Sequence, residues 1–511
     1  MNIQRLRHLT KKKVAPARHP RRGFLHKVSR PFRVASIIII VVLVAVLALV
    51  GICALATYHA NYATYTAGLP AWSIGPKDDR VLIFAPHCDD ETLACGGLIN
   101  RLVARKSKVL VVFATNGDAF RIACVKQFHQ VDVGPSDFVK FGYFREKETM
   151  RALRKLGLSD KDVIFLGYPD RGLAKMWSKD WDTRNLYTSA YTGGDHSPYR
   201  TSFRRNAPYC GSALLGDLKT ILQNFKPTSV YYPHSYEQHS DHWGAYCFMT
   251  QALYETGMIE KVKTGLYLVH RGDWPVPQGV HEDLSLPPPA KLNDLGTQWY
   301  EFNLTPGGVD LKLNAIRTYK SQTAIMNRFL TSFARTNELF GEYPPVKLRK
   351  VPSIGSAADI RWSAVQPDIL DPVGDNINVD VGRNGDIQDI RVCTDDRYLY
   401  VRLHLAHEYS YATYYALHMH TMPAGDSEPI NIQVHGSKCD ASGVRVSTST
   451  KSGALAIPLE RLGNWDALML NADSRYRGIT LDKSAWRVFL RDGAPSTNLI
   501  DKVSALVSKP K

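Results

Sequence analysis

Two short runs in this 511-residue chain concentrate side chains able to bind a metal and move a proton: Pro86-His87-Cys88-Asp89-Asp90-Glu91 and His239-Ser240-Asp241-His242. The first sets an imidazole and three carboxyls on one turn, and the second adds two imidazoles and another carboxyl. Histidine with carboxylate suits zinc, and a catalytic zinc takes three protein ligands and keeps one position for water. Taken singly, each run has a plain explanation: acids at a helix N-terminus interact with the dipole, and most histidines are satisfied polar groups. Together, with Thr115-Asn116-Gly117-Asp118 and Gly167-Tyr168-Pro169-Asp170 between them, they point to one site assembled from distant segments. Asp118 could serve that pocket or simply form its turn, and Asp241 could orient a neighbouring imidazole.

For these runs to meet, the segments before them must be strands ending at a common edge. Apolar stretches at 81–85, 108–114, 162–166 and 229–232 read as strands, and 92–104, 145–156 and 214–225 have helical periodicity. Alternating strand and helix predicts an α/β domain with a Rossmann-like, mostly parallel sheet, and open sheets of that kind bind ligands where the polar runs lie, beyond the strand carboxyl ends. The alternation fades after Val269. Residues 311–339 still read as helix, and Pro344-Pro345 with Lys347-Leu348-Arg349-Lys350 reads as a linker. From 359 to 492, short strands separated by Asp, Gly and Asn turns predict an all-β sandwich. The expected organisation is a basic tail at 1–33, a transmembrane anchor at 34–58, a stem at 59–78, a catalytic domain at 79–348 and the β-sandwich at 354–500.

With 44% hydrophobic and 22% charged residues the chain can bury sizeable cores, and its length exceeds a single one. Net charge is +16, but eleven Lys/Arg and no Asp/Glu fall within residues 1–33, and only +5 remains without them. No nucleic-acid-binding motif accompanies that tail, so a nucleic-acid role is excluded. Residues 34–58 carry no charge and include IIIIVVLVAVLALV, which reads as one N-terminal transmembrane helix with the basic end cytoplasmic. The expectation is a single-pass membrane protein whose catalytic domain lies on the exported, periplasmic or extracellular, side. A cleaved signal ending near Ala54-Leu55-Ala56 is the alternative and also exports the body. Eight cysteines with no close pair make neither a disulfide scaffold nor a cysteine-rich zinc site, and pairing of Cys393 with Cys439 stays open.

The PHCDDE and HSDH runs resemble the PIG-L/LmbE-type N-acetylglucosamine deacetylases, whose usual motifs are (A/P)HPDDE and HPDH. Arg145-x-x-Glu148-x-x-x-Ala152 resembles that family's RxxE helix, the run from Phe165 to Leu173 its LGYPDxGL segment, and Lys320-Ser321-Gln322 its later SQ element. The resemblance covers about residues 80–342. It implies zinc held by His87, Asp90 and His242, Asp89 as general base, His239 polarising the developing oxyanion, and Arg145 and Asp170 contacting the sugar. Asp89 or His239 would protonate the leaving nitrogen. Two departures stand out. Cys88 replaces the usual proline, and Glu237 occupies a position where some members place a mobile tyrosine, with Tyr236 one step earlier as a substitute.

The tail from Cys393 resembles carbohydrate-binding β-sandwiches of the CBM9-like or DOMON-like kind, in which Tyr409, Tyr411, Tyr414, Tyr415 and Trp465 are either sugar platforms or core. The resulting expectation is a membrane-bound hydrolase removing acetate from GlcNAc residues of a polysaccharide or lipid-linked glycan. The alternatives are a zinc amidohydrolase acting on another N-acylated small molecule and an inactive glycan-binding scaffold.

Overall fold

The β-branched and aromatic run at Arg80–Ala85 forms the centre of a seven-stranded sheet, and its neighbours in sequence cover that sheet with helices. The computed structural model describes residues 38–49, 51–52, 68–77, 79–375, 383–422 and 429–491. In chain order the first part comprises β1 (Arg80–Ala85), α1 (Asp90–Ala104), β2 (Lys108–Thr115), α2 (Arg121–Phe128), α3 (Pro135–Lys155), β3 (Val163–Tyr168), α4 (Leu173–Ser178) and α5 (Gly211–Phe225). It continues with β4 (Ser229–Pro233), α6 (Ser240–Glu255), β5 (Lys263–Tyr267), β6 (Gln298–Asn303), α7 (Pro306–Ile316), α8 (Lys320–Thr331) and β7 (Asn337–Glu342). The helix expected to continue to 339 therefore gives way to strand β7, which lies between β5 and β6.

The sheet order is β3-β2-β1-β4-β5-β7-β6, parallel from β3 to β5, with β7 antiparallel to both β5 and β6. The chain runs outward from β1 to β3 and then returns to the other side of β1 with β4. That reversal opens a crevice beyond the carboxyl ends of β1 and β4, the place where such sheets bind ligands. The two polar runs follow these two strands.

The second part is built of two mostly antiparallel sheets. Its strands are β8 (Val346–Lys347), β9 (Arg349–Lys350), β10 (Ile369–Leu370), β11 (Ile387–Thr394), β12 (Tyr398–Leu405), β13 (Tyr414–Met422), β14 (Ile430–His435), β15 (Lys438–Cys439), β16 (Arg445–Ser449), β17 (Ser452–Pro458), β18 (Ala467–Tyr476), β19 (Ile479–Lys483) and β20 (Arg487–Leu490). One sheet is ordered β10-β11-β12-β17-β16 with β9 on β11; the other is β15-β14-β13-β18-β20-β8 with β19 on β18. The segment read as a linker is thus woven in, β8 pairing parallel to β20 and β9 parallel to β11. Cys393 and Cys439 sit in different sheets and both are free thiols. Tyr415 and Trp465 are core, whereas Tyr411 and Tyr414 are exposed.

One apolar core runs through both parts, from Trp72 to Leu490. At the seam, His420 of β13 stacks on Trp177 of α4 at 3.8 Å between ring centres and donates from Nε2 to the Trp177 carbonyl at 2.7 Å. Trp486 meets Trp177 edge-on, and Ser235 Oγ both donates to the Trp486 carbonyl and accepts from its N–H, at 2.8 and 2.6 Å. Residues 68–77, expected in a stem, lie against the sheet instead: Ala71 bridges to Glu301, and Trp72 Nε1 donates to the Tyr231 hydroxyl.

The N-terminal unit requires a correction. Residues 38–49 and 51–52 are helical, and no helix among the described residues is long and apolar enough to cross a membrane. The transmembrane anchor at 34–58, and with it the single-pass localisation, is overturned. The basic tail at 1–33 lies outside the described residues.

Candidate active site

The turn after β1 is pinned from two sides. Thr115, at the end of β2, donates its N–H and hydroxyl to the Pro86 carbonyl, and the His87 N–H donates to Asp90 Oδ2 at 2.9 Å. Asp89 takes the N-cap position of α1 and Asp90 opens the helix. After β4, His239 caps α6 through Nδ1, which accepts from the Asp241 N–H at 3.3 Å, and His242 follows one turn into the helix. Because β1 and β4 are neighbours, the two turns face each other.

His87 Nδ1, Asp90 Oδ2 and His242 Nε2 stand 3.2, 3.1 and 3.3 Å from one another. Donors of a tetrahedral ion held at about 2.0 Å stand about 3.3 Å apart, so this triangle has the size of one face of a zinc site. The outer ring nitrogens are also held. His242 Nδ1 lies 3.0 Å from Glu237 Oε1, and His87 Nε2 lies 3.3 Å from both Asp170 Oδ1 and Asp241 Oδ2. Each outer N–H is thereby committed to a carboxylate, and the inner lone pairs converge on Asp90, the arrangement by which outer partners orient metal-binding histidines. Asp90 Oδ1 is buried without a hydrogen-bond partner among the described residues, 3.7 Å from His270 Nε2. The donor set fits a metal ion.

The electrostatics agree. Burial acts against charge on both partners, yet Asp90 and Glu237 push His242 up to about 9, while His242 and His87 hold the Asp90 carboxyl well below the usual range. Burial raises Asp89 to about 7 against the opposing pull of Arg145. Burial, and then the neighbouring imidazoles of His87, His242 and His270, lower His239 to about 2, so it stays neutral with Nδ1 accepting and Nε2–H free to donate.

Several residues take positions that their motifs do not reveal. Arg145 is 4% exposed and is occupied by protein: Nη1 donates to the Gly117 carbonyl, Nη2 donates to the Cys88 carbonyl, and Nη2 lies 3.2 Å from Asp89 Oδ1. It ties two active-site turns to Asp89 while still lining the pocket. Asp170 Oδ2 accepts from the Ala119 N–H, and Asp241 accepts from the N–H groups of Arg171 and Leu173, which fixes both carboxylates behind His87. Glu148, also on α3, accepts from the Ser321 N–H and hydroxyl and so sets the start of α8, bringing Gln322 to the pocket. Asp118 is buried and accepts from the Tyr199 hydroxyl. Cys88 directs its thiol at the Thr115 carbonyl, 3.9 Å away and behind the turn.

The Tyr236 substitute is corrected: its hydroxyl donates to the Leu370 carbonyl at 2.6 Å, on the side of the second part of the molecule. Glu237 proves to be a structural hub, binding His242 and accepting from the N–H groups of Val269 and His270 at 2.6 and 2.8 Å. His270 itself was missed. It lies three residues beyond β5, at the same sheet edge as the other motifs, and that placement was its one sequence signal. His87, Asp89, Arg145, Asp170, His239 and His270 line a cavity of about 180 Å³.

Residues 82–253 match the family described as GlcNAc-PI de-N-acetylase, PIG-L. The 1D-myo-inositol 2-acetamido-2-deoxy-alpha-D-glucopyranoside deacetylase of Mycolicibacterium smegmatis is 32% identical over 116 residues, 21% of this chain and 39% of the relative. The enzyme of the same name from Mycobacteroides abscessus is 28% identical over 180 residues, 34% of this chain and 55% of the relative. The chain thus spans about two fifths and about half of these curated relatives' lengths. Among solved structures, the N,N'-diacetylchitobiose deacetylase of Pyrococcus horikoshii is similar at 19% identity and a TM-score of 0.32, over 52% of this chain and 84% of that one. The matched residues 82–253 carry the His87–Asp90–His242 triangle together with Asp89 and His239.

Proposed function

We propose that this protein is a zinc-dependent deacetylase that hydrolyses the N-acetyl group of an N-acetylglucosamine unit, in a polysaccharide or a lipid-linked glycan, and releases acetate. The observation that carries the reading is the convergence of His87 Nδ1, Asp90 Oδ2 and His242 Nε2 beside a carboxyl and a neutral imidazole that both face the same cavity. Two curated relatives are named as deacetylases of a 2-acetamido-2-deoxyglucopyranoside, which supports the sugar class.

His87, Asp90 and His242 would hold the zinc, which supplies Lewis acidity toward an amide carbonyl and toward water. Asp89 is the general base. Its carboxylate, held by Arg145, takes the proton of the attacking water. His239 donates its Nε2–H to the oxyanion that develops on the carbonyl oxygen, because Nδ1 is already accepting from Asp241. Asp89, once it has taken the water's proton, returns it to the departing nitrogen, and acetate and free amine result. Arg145 acts here mainly by positioning Asp89, while Asp170 and Asp241 orient His87 from behind.

The experiment is acetate release by the zinc-loaded full chain from GlcNAc oligomers and from lipid-linked GlcNAc, beside Asp89→Asn. Release by the parent and its loss in the variant, with zinc still bound, is the expected result. Zinc binding without acetate from either substrate rejects the assignment.

A further inference from the structure

A second group of metal-compatible side chains lies away from the catalytic pocket. Asp371 follows β10, Asp375 closes the next turn, and Asp482 sits on β19; their carboxylate oxygens come within 4.8 Å of one another. Three points so spaced share a centre no more than about 2.8 Å from each, close to the 2.3–2.6 Å at which oxygen ligands hold calcium. All three donors are hard oxygens with no imidazole or thiolate among them, which favours an alkaline-earth ion over zinc.

The group is built, and it is incomplete. Asp386 fixes the turn by accepting from the Gly374 N–H with both oxygens. Asp482 is fixed by the N–H groups of Ile387 and Lys483, each at 2.7 Å. Asp371, by contrast, is 5% exposed, and its Oδ2 has no hydrogen-bond partner among the described residues; Asp375 Oδ1 is likewise buried without one. Both residues line a cavity of about 550 Å³ into which Arg271, Glu237 and Lys483 also face, leaving room for water to complete a coordination shell. The acids oppose one another, while Arg271 pulls the other way on Asp371 and Lys291 and Arg271 do so on Asp375. Burial, and then the charges of Asp482, Asp375 and Asp386, drive Asp371 well above the carboxylate range, and burial raises Asp482 to about 7 and Asp375 to about 6.

We propose that Asp371, Asp375 and Asp482 bind one calcium ion at the seam between the α/β sheet and the β-sandwich. The ion would sit beside the segment that carries the catalytic histidines. Tyr236 donates to the Leu370 carbonyl, one residue before Asp371, and Arg271 donates to the Tyr236 carbonyl. Calcium would hold β10 and β19 together and with them the platform under residues 235–239.

The test titrates calcium calorimetrically into the full chain, with zinc already saturating, for the parent, Asp371→Asn and Asp482→Asn, and follows the melting temperature of each. The parent is expected to take one calcium and to melt about 3 °C higher at a hundredfold excess over the dissociation constant. Both variants are expected to take none and to show no calcium-dependent shift. Without calcium, Asp371→Asn should melt at or above the parent because a neutral amide avoids the cost of a buried carboxyl forced to stay protonated, which also reports that it folds. A parent that takes no calcium, variants that bind it undiminished, or an equal shift with magnesium at the same concentration would each overturn the proposal.

Discussion

Glu237 sets how firmly His242, one of the three proposed metal ligands, is held. It binds His242 Nδ1 while anchored by two backbone N–H groups, so the imidazole can present only Nε2 to the centre. Glu237→Gln keeps the shape but gives up the charge that fixes this tautomer, and loss of such outer partners typically weakens metal binding 10- to 100-fold. Competition with a zinc chelator should show a drop of that size with helix content unchanged. Asp89→Asn is the complementary change: zinc stoichiometry should stay that of the parent while kcat falls by about 10²–10⁴. Equal loss of zinc in both variants would place Asp89 among the metal ligands instead. The local runs PHCDDE and HSDH were readable because each packs its donors into a few residues at a strand end. Glu237 and His270 were not, since their meaning lies in contacts between residues 237 and 269–270, which become neighbours only when β4 and β5 pair.

At the scale of elements, the strand–helix alternation could be read because burial on both faces leaves continuous apolar runs in β1, β2 and β4. Strand order is not written in such runs, so the reversal at β1 and β4 had to come from the fold. The same holds for the run at 346–350, whose charges suggested a solvated linker although only alternate residues face water in β8 and β9. A buried ion pair locks α1 in place. Lys312 of α7 lies 2.7 Å from Glu338 of β7, both fully buried, and Glu338 also accepts from the N–H groups of Gly97 and Leu98. A side chain at Gly97 would meet the end of the Leu304 side chain at 2.3 Å, so Leu304 would have to shift to admit one. Lys312→Met leaves Glu338 charged and unpaired in the core, which should destabilise the fold by about 3–5 kcal/mol in denaturant melts. A loss under 1 kcal/mol would mean that the N–H donors alone satisfy the carboxylate.

At the scale of the whole molecule, the change from helix-rich to strand-rich pattern near 350 suggested two separable bodies, whereas Trp177, Trp486 and His420 interlock across the seam within one core. Such contacts escape sequence patterning because each aromatic reads locally as core of its own part. They also make the seam sensitive to acid. Burial lowers His420 from 6.5 to about 3, against the hydrogen bond from its Nε2 to the Trp177 carbonyl, which favours the charged ring. Below about pH 3 the imidazole is protonated in both folded and unfolded chains, and above 6.5 it is neutral in both. Between those limits the unfolded chain binds more protons, so folding stability falls with acidification by about 1.4 kcal/mol per pH unit from this residue alone. His420→Gln retains an N–H for the Trp177 carbonyl and does not titrate. Chemical denaturation of parent and variant from pH 4 to 8 should therefore give a stability difference that slopes by that amount below about 6.5 and levels off above it. A difference that is flat across the whole range would mean that the seam takes up the proton without opening, and that His420 is not what couples β13 to α4.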